Sequence, residues 1–270
     1  MELSIAINNY RNPELLKLCL DSIKSNVQRI EYEIIVTDSD TQEDTEMMMR
    51  EDYPQVKFFP FHKNVGLAVM VQKAIKESEG EYILFLNGDI IVTENSVEEL
   101  IGFLKLHSEV GMVGPKLLNF NGTLQKSCFR FYKPVTIVFR RMEFLNRLNF
   151  VRSHLDWFSM ESYDHEKPRN VDWLMGSALM AKKEVIQKVG DMDSQFFMYM
   201  EDVDWCRRFW ENGYKVIYYP PVSVYHYHKQ ASRGKKGLLE VFINKYTRIH
   251  IASAIKYFLK FGLKTPRYGV

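Results

Sequence analysis

Tyr82-Ile83-Leu84-Phe85-Leu86-Asn87-Gly88-Asp89 runs five apolar residues straight into Asn-Gly-Asp. A short apolar run that stops in small and polar residues has the pattern of a buried strand entering a loop. Comparable runs stand upstream at Leu3–Ile7, Tyr32–Thr37 and Val56–Phe59, and downstream at Val110–Gly114. Helical patterns lie between them. The first follows Pro13, which suits a helix's first turn, and its apolar positions Leu15, Leu16, Cys19, Leu20 and Ile23 recur at helical spacing. The fourth starts at Asn95, with Glu98 three positions on in a capping-box-like arrangement. Strands alternating with helices predict βαβ units, and so an α/β fold with a mostly parallel central sheet flanked by helices.

The pattern changes after Lys116. Asn121-Gly122 between short runs predicts a type I′ hairpin. Residues 130–170 mix basic, aromatic and polar types without clear periodicity, which predicts an irregular insertion. Order returns with strand-like runs at Val171–Leu174 and Ala178–Ala181, a short helix near Val185 and the run Phe196–Met200. A helix from about Asp202 to Asn212, closed by Gly213, precedes strands at Val216–Tyr219 and Val222–Tyr225 and then a basic C-terminal helix.

The 270 residues, 46% hydrophobic and 26% charged, suffice for a sizeable core. Cys19, Cys128 and Cys206 are odd in number, widely spaced and without a CxxC pair, which argues against a disulfide framework or a zinc knuckle and for a reducing compartment. The chain opens without a basic and apolar leader, and no uncharged apolar run approaches the roughly 18 residues that span a bilayer. A cytoplasmic chain without its own anchor is therefore expected. The net charge of +2 conceals an asymmetry: residues 229–270 hold ten Lys or Arg against Glu240, or +9, leaving −7 on the rest. An acidic body with a basic tail suits an anionic membrane surface or substrate phosphates, although a solvated basic helix accounts for the same composition.

Open α/β sheets bind ligands beyond the carboxyl ends of their strands. Here those ends are Asn8-Asn9-Tyr10, Asp38-Ser39-Asp40, His62 through Gly66, and Asn87-Gly88-Asp89. Neither GxGxxG nor GxxxxGK[ST] is present, so a nucleotide would be held in some other way. In Asn87-Gly88-Asp89 the two polar side chains flank a small residue, an arrangement open to a hard divalent ion such as Mg²⁺ or Mn²⁺ and equally to a polar turn. Glu201-Asp202-Val203-Asp204 opens a helix after an aromatic run, where the helix dipole alone favours acids and where a partly desolvated carboxylate is also suited to general-base work. His226 and His228 share one side of a strand end, as metal ligand or as packed core residues.

Assembled, these residues resemble the family 2 glycosyltransferases, and within them the rhamnosyltransferase-like branch that uses dTDP-rhamnose. The likeness covers about residues 3–232 and rests on pieces in the family's order: SIAINNY at 4–10, IVTD at 35–38, NVG at 64–66, FLNGD at 85–89, VDWLMG at 171–176 and FFMYMEDVD at 196–204. It implies the GT-A fold over 1–232, with a nucleotide-binding half at 1–116, an acceptor and catalytic half at 117–232, and a basic amphipathic helical tail at 233–270. It implies an inverting, metal-dependent transfer from a dTDP- or UDP-sugar to a glycan or lipid-linked acceptor in cell-surface polysaccharide synthesis. Asp38 would bind the base beside Asn8, Asn9 and Tyr10, with Asn64 and Gly66 near the nucleotide. Asp89, supported by Asn87 and His226, would hold Mg²⁺ or Mn²⁺, with His228 as substitute. Asp202 would be the catalytic base beside Glu201, and Asp172 and Trp173 would face donor sugar or acceptor. Asn87 replaces the first aspartate of the commoner DxD motif, and Ser39-Asp40-Thr41 departs from the usual Asn-Ala-Ser. Apart from the resemblance, Lys229 and Arg233 stand in a polar, Gly-containing segment after the histidines that is expected either to close over a diphosphate or to form a plain solvent loop.

A non-catalytic GT-A scaffold or membrane-docking partner is the alternative, and a nucleotidyltransferase would want a glycine-rich loop where Asn9-Tyr10-Arg11-Asn12 stands. The tail is expected to dock on the inner face of the cell membrane or on the domain, with Phe258 and Phe261 widening its apolar side beyond one docking stripe. No nucleic-acid partner is indicated, and an oligomer is left open.

Overall fold

The computed structural model describes residues 1–227, 244–266 and 268. Strands β1 (Leu3–Tyr10), β2 (Tyr32–Ser39), β3 (Lys57–Phe61) and β4 (Tyr82–Asn87) form a parallel block ordered β3-β2-β1-β4. Helices α1 (Pro13–Asn26), α2 (Glu43–Asp52) and α3 (Leu67–Glu77) make the crossovers. Asn12 caps α1 by accepting from the Leu15 N–H, and Pro13 occupies the first turn as its missing donor allows. The strand order reverses direction between β1 and β4, so the ends of these two strands frame the switch-point crevice of an open α/β sheet.

Beyond β4 the sheet becomes mixed. After β5 (Ile90–Ile91), α4 (Ser96–Leu106), β6 (Val110–Leu118), β7 (Leu124–Gln125), β8 (Cys128–Phe129), β9 (Arg169–Asn170), β10 (Trp173–Leu174), β11 (Ala178–Lys182) and β12 (Lys215–His226), its path runs β4-β11-β6-β12-β5. β11 lies antiparallel between β4 and β6, β12 runs parallel to β6, and β8 pairs with β10 apart from the main sheet. Alternation along β1 and β4 splits the interior into two cores. Leu3, Ile5, Ile7, Leu84 and Leu86 meet α1 and α4, while Ala6, Ile83 and Phe85 meet α3, α7 (Lys183–Val189), α8 (Glu201–Glu211) and α9 (Lys245–Phe261).

Several expectations change on contact with the fold. Asn95 is left-handed (φ 57°) and makes no side-chain cap, because Glu98 reaches instead to the N–H groups of Gln28 (3.2 Å) and Arg29 (3.4 Å). The hairpin at Asn121-Gly122 exists, but only Gly122 has positive φ among its residues, so it is not the type I′ turn that needs both centres left-handed. Asn119 and Thr123 close it, and the Thr123 N–H donates to the Asn121 side chain. Residues 130–170 are not irregular: they carry α5 (Pro134–Arg141), a 3-10 turn (Glu143–Arg147) and α6 (Asn149–Phe158). Their apolar positions are split between core and surface, Val151 and Phe158 buried but Val138 and Phe150 exposed, which blurs the periodicity. Val171–Leu174 is not one strand: the chain breaks at Val171-Asp172 between β9 and β10. Val216–Tyr219 and Val222–Tyr225 are one strand, β12, bulged at Pro220-Pro221 where prolines cannot donate to the ladder.

The C-terminal helix is no separate tail. Tyr257 and Ala254 of α9 are buried, and Phe258 and Phe261 pack on the core rather than widening an outward face. Residues 228–243, with His228, Lys229, Arg233 and the first turns expected of the tail, lie outside the described residues.

Candidate active site

The ends of β1 and β2 form the first wall. Their register sets Asn9 beside Asp38, and Asn9 Nδ2 donates to Asp38 Oδ1 at 2.8 Å. Asp38 Oδ2 is buried without a hydrogen-bond partner among the described residues. A carboxylate oxygen so placed is costly until a donor arrives. Burial pushes the Asp38 carboxyl up, opposed by hydrogen bonds from Thr41 and Asn9. Asn8 turns inward, its Oδ1 accepting from the Thr37 hydroxyl at 3.0 Å, so it offers backbone rather than side chain. The Tyr10 ring is exposed at the rim, with the Arg11 guanidinium over it and paired to Asp40. Asn64 Oδ1 accepts from the Gly66 N–H at 3.1 Å. Gly66 has φ +80°, and a Cβ there would collide with the Phe197 carbonyl, so glycine is required for this loop to touch the segment leading into α8.

The second wall is Asn87-Gly88-Asp89 after β4. A Cβ on Gly88 would lie 2.6 Å from Asn9 Oδ1, so the glycine lets the two walls close. Asp89 Oδ1 stands 3.3 Å from His226 Nε2, held by the pairing of β12 with β5 and by the Tyr227 N–H, which donates to the Asp89 carbonyl at 3.0 Å. His226 is buried, and its Nδ1 meets Gln125 Oε1 at 2.6 Å. The amide oxygen only accepts, so Nδ1 carries the proton and Nε2 is the nitrogen turned to Asp89. A carboxylate oxygen and an imidazole nitrogen oriented by an outer partner fit a divalent ion that takes its other ligands from a diphosphate and water. No group of three or more His, Cys, Asp or Glu among the described residues converges into an all-protein metal cage.

The third wall is the start of α8. Tyr199 and Met200 both take positive φ (67° and 71°), a conformation costing about 1–2 kcal/mol per non-glycine residue. This double turn drives Glu201 and Asp202 under the sheet edge. Asp202 Oδ2 accepts from the Gly176 N–H at 3.1 Å and Oδ1 from the Val203 N–H at 2.9 Å. Burial pushes the Asp202 carboxyl up to about 6 against those bonds. Glu201 is buried, its Oε2 lacks a partner among the described residues, and burial first and Asp202 second push its carboxyl well up. Ser177 O, next to Gly176, accepts from the Asn87 N–H at 2.9 Å, so Asp202 and Asn87 flank one stretch of backbone.

Asp172 lies four residues before Gly176, with Oδ2 accepting from the Phe131 N–H at 2.7 Å. Trp173 is 6% exposed, stacked on Phe129 and Tyr132, with its Nε1 donating to the Arg130 carbonyl, so its ring is part of a wall and not a bare platform. Asn9 thus touches Asp38 and Asp89 touches His226, while Asn87 and Asp202 are linked through the backbone of Ser177 and Gly176, and Gly66 meets the segment that leads to Asp202.

Reasoning from the sequence missed Gln125, Gly176 and the supports from α9. Ser253 Oγ donates to the Met198 carbonyl at 2.9 Å, Lys256 Nζ to the Gln195 carbonyl at 2.7 Å, and Lys260 Nζ to Asp204 Oδ1 at 2.6 Å. Gly176 stood inside a quoted motif. The other residues lie far along the chain from their partners and carry no local signal.

A switch-point crevice flanked by a buried strand-end carboxylate, a carboxylate–histidine pair and a partly desolvated aspartate is the arrangement expected of a GT-A glycosyltransferase. Likeness to solved structures bears out that fold. TarS of S. aureus superposes with a TM-score of 0.60 at 15% identity, over 96% of this chain and 40% of that one. The mannosyltransferase PcManGT from Pyrobaculum calidifontis, solved with GDP-Man and Mn²⁺, does so at 0.59 and 18%, over 98% of this chain and 66% of that one. The chain belongs to glycosyl transferase family 2, whose model matches residues 4–207. Among its relatives, the N-acetylglucosaminyl-diphospho-decaprenol L-rhamnosyltransferase of Mycobacterium tuberculosis is 25% identical over 75% of this chain and 68% of its own. Rhamnosyltransferase WbbL of Escherichia coli is 24% identical over 94% of this chain and 91% of its own. The expected family and its rhamnosyltransferase-like character stand.

Proposed function

We propose that the protein transfers L-rhamnose from dTDP-rhamnose, with inversion, to a hydroxyl of a lipid-linked glycan in cell-surface polysaccharide synthesis. The observation that carries this is the position of Asp202: a carboxylate raised to about 6, ionised at neutral pH, one backbone segment away from Asn87 and the Asp89–His226 pair. In that role Asp202 takes the acceptor's proton while the acceptor oxygen bonds to C1 of the sugar. The bond from C1 to the diphosphate breaks on the opposite face, and the nucleoside diphosphate leaves. Asp38 Oδ2 accepts from the pyrimidine N–H, and Asn9 keeps that carboxylate aimed. Asp89 and His226 hold Mg²⁺ or Mn²⁺, with Asn87 beside them, and Gln125 fixes the imidazole. A bound divalent ion supplies neutralisation of the charge that builds on the leaving diphosphate. Glu201, its carboxyl pushed up by burial first and by Asp202 second, stands beside the base.

Rhamnose as the transferred sugar is supported by the names of both relatives, and a lipid-linked acceptor by that of the Mycobacterium tuberculosis relative. A place at the cytoplasmic face of the membrane is supported by the surplus of cations in residues 229–270. No helix among the described residues is long and apolar enough to cross a membrane. A non-catalytic scaffold has no use for an ionised, half-buried Asp202, and the two readings part in one assay. Purified protein, metal and a panel of nucleotide sugars should release nucleoside diphosphate, fastest from dTDP-rhamnose when acceptor is added. Release from no donor under any metal would establish the scaffold. Within the same assay, Asp89→Ala should weaken only metal-dependent diphosphate binding, whereas Asp38→Ala should weaken binding of the free nucleoside as well.

A further inference from the structure

Behind Asp172, on the side of the insertion, lies a pocket of about 530 Å³ lined by Arg130, Lys133, Trp157, Asp172, Leu263 and Pro266. Its polar residues are not satisfied from within. Arg130 Nε is buried and has no hydrogen-bond partner among the described residues. Lys133 Nζ rests 4.2 Å from the centre of the Trp157 ring. Asp172 has committed Oδ2 to the Phe131 N–H, and its remaining charge offsets only part of the two cations. A buried guanidinium donor without a partner wants an oxygen acceptor, and a planar fork with an ammonium beside it suits a phosphate.

The rim has the opposite character. Leu263, just past the Gly262 turn that ends α9, is 69% exposed and Trp157 38%, and Leu259 (81%) and Ile255 (55%) stand exposed on the last turns of the helix. Exposed Leu263 and Trp157 at the mouth of a cationic pocket match a ligand with an anionic head and an apolar tail. The chain also connects the pocket to the crevice, because Asp172 at its wall leads along one stretch of backbone to the Gly176 whose N–H holds Asp202.

We propose that this pocket binds the prenyl diphosphate part of the acceptor, with the diphosphate against Arg130 and Lys133 and the first prenyl units over Trp157 and Leu263. Its identity as an acceptor subsite rests on the transferase reading above; the binding itself does not. Farnesyl diphosphate is the probe, titrated calorimetrically into the full chain with dTDP and Mn²⁺ already saturating, beside farnesol and inorganic diphosphate. Wild type should bind farnesyl diphosphate without losing dTDP and should prefer it to both fragments. Arg130→Gln and Lys133→Gln should each weaken it about tenfold or more, the scale of a charged hydrogen bond. Leu263→Asp, at an exposed position that folding tolerates, should weaken farnesyl diphosphate and leave inorganic diphosphate unchanged. Lys133→Gln decides the matter should Arg130→Gln fail to fold. Equal binding by Lys133→Gln and wild type, displacement of the probe by dTDP, or binding of inorganic diphosphate as tight as that of farnesyl diphosphate would each overturn the proposal. Probe binding with wild-type behaviour, in a protein that turns over no nucleotide sugar, would overturn the transferase reading and leave the pocket standing.

Discussion

Asp38 and Asp202 each withdraw a carboxylate from water at the same crevice, and the chain holds them by different means. Asp38 ends a central strand, its position follows from the register of β1 on β2, and its neighbour Asn9 is supplied by that register. Asp202 starts a helix behind two left-handed residues and is anchored by Gly176. Its loop is tied down by Ser253, Lys256 and Lys260 from a helix that begins more than forty residues later. Of the two halves of the crevice, the one at Asp38 is therefore a product of sheet geometry and the one at Asp202 a product of tertiary ties that oppose local strain. Lesions in the two halves should separate in what they damage.

The largest separation is expected from Asp202→Asn. The amide keeps the shape and can still accept the Gly176 N–H, so nucleoside diphosphate binding should persist while turnover falls by at least about a hundredfold. In wild type, turnover should rise with pH through about 6 as the carboxylate loses its proton, and the residual turnover of the variant should lack that rise. A variant with near-normal turnover would remove Asp202 as the base and make the contrast with Asp38 one of packing only.

Next in size is Lys260→Met. The Asp204 carboxylate is fully buried between Lys260 and Arg208, at 2.6 and 2.8 Å, and would keep one cation of the two. A partly unsatisfied buried carboxylate costs about 1–3 kcal/mol, a drop of several degrees in melting temperature. Turnover should fall less than in Asp202→Asn, with dTDP affinity unchanged. Equal loss of dTDP affinity would show that the two halves are one mechanical unit and would blur the comparison.

The same contrast explains what could be read before the fold was known. Strand ends such as Asn8–Tyr10, Asp38 and Asn87–Asp89 were legible because a parallel block puts a polar residue after an apolar run at each ligand-facing edge. Glu201 and Asp202 were legible as a cluster, but the positive φ of Tyr199 and Met200 was not, since neither residue type announces a left-handed turn. Gln125 was hidden because its partner His226 lies 101 residues away on β12. α5 and α6 were lost to periodicity because exposed Val138 and Phe150 interrupt the polar face that a surface helix is expected to show. The C-terminal helix was visible as amphipathic, yet a helix packing Tyr257 on its own domain and one lying on a membrane share the same stripe.

The smallest expected effect is thermodynamic and runs against the catalytic one. Burial raises the Asp202 carboxyl from 3.8 to about 6 and raises Glu201 as well, so in this region the folded chain binds protons more tightly than the unfolded chain does. The protonated forms favour folding. That contribution is complete below the ordinary carboxylate pKa near 4 and is lost as pH rises through about 6. At neutral pH wild type therefore carries a destabilising charge in the site where it needs a base. Asp202→Asn removes the charge, and its one oxygen keeps one of the two bonds that the carboxylate accepts from Gly176 and Val203, so the variant's melting temperature relative to wild type should be a few degrees more favourable at pH 7.5 than near pH 4. Asp38→Asn should differ in degree, because its amide oxygen can keep the bond from Asn9 Nδ2 while the NH2 takes the place of Oδ2, which has no hydrogen-bond partner among the described residues. Melting curves of both variants across this pH range give the measurement. An Asp202→Asn protein less stable than wild type at pH 7.5 would mean that the bonds from Gly176 and Val203 outweigh burial, and that the strained turn is held by the charge it delivers.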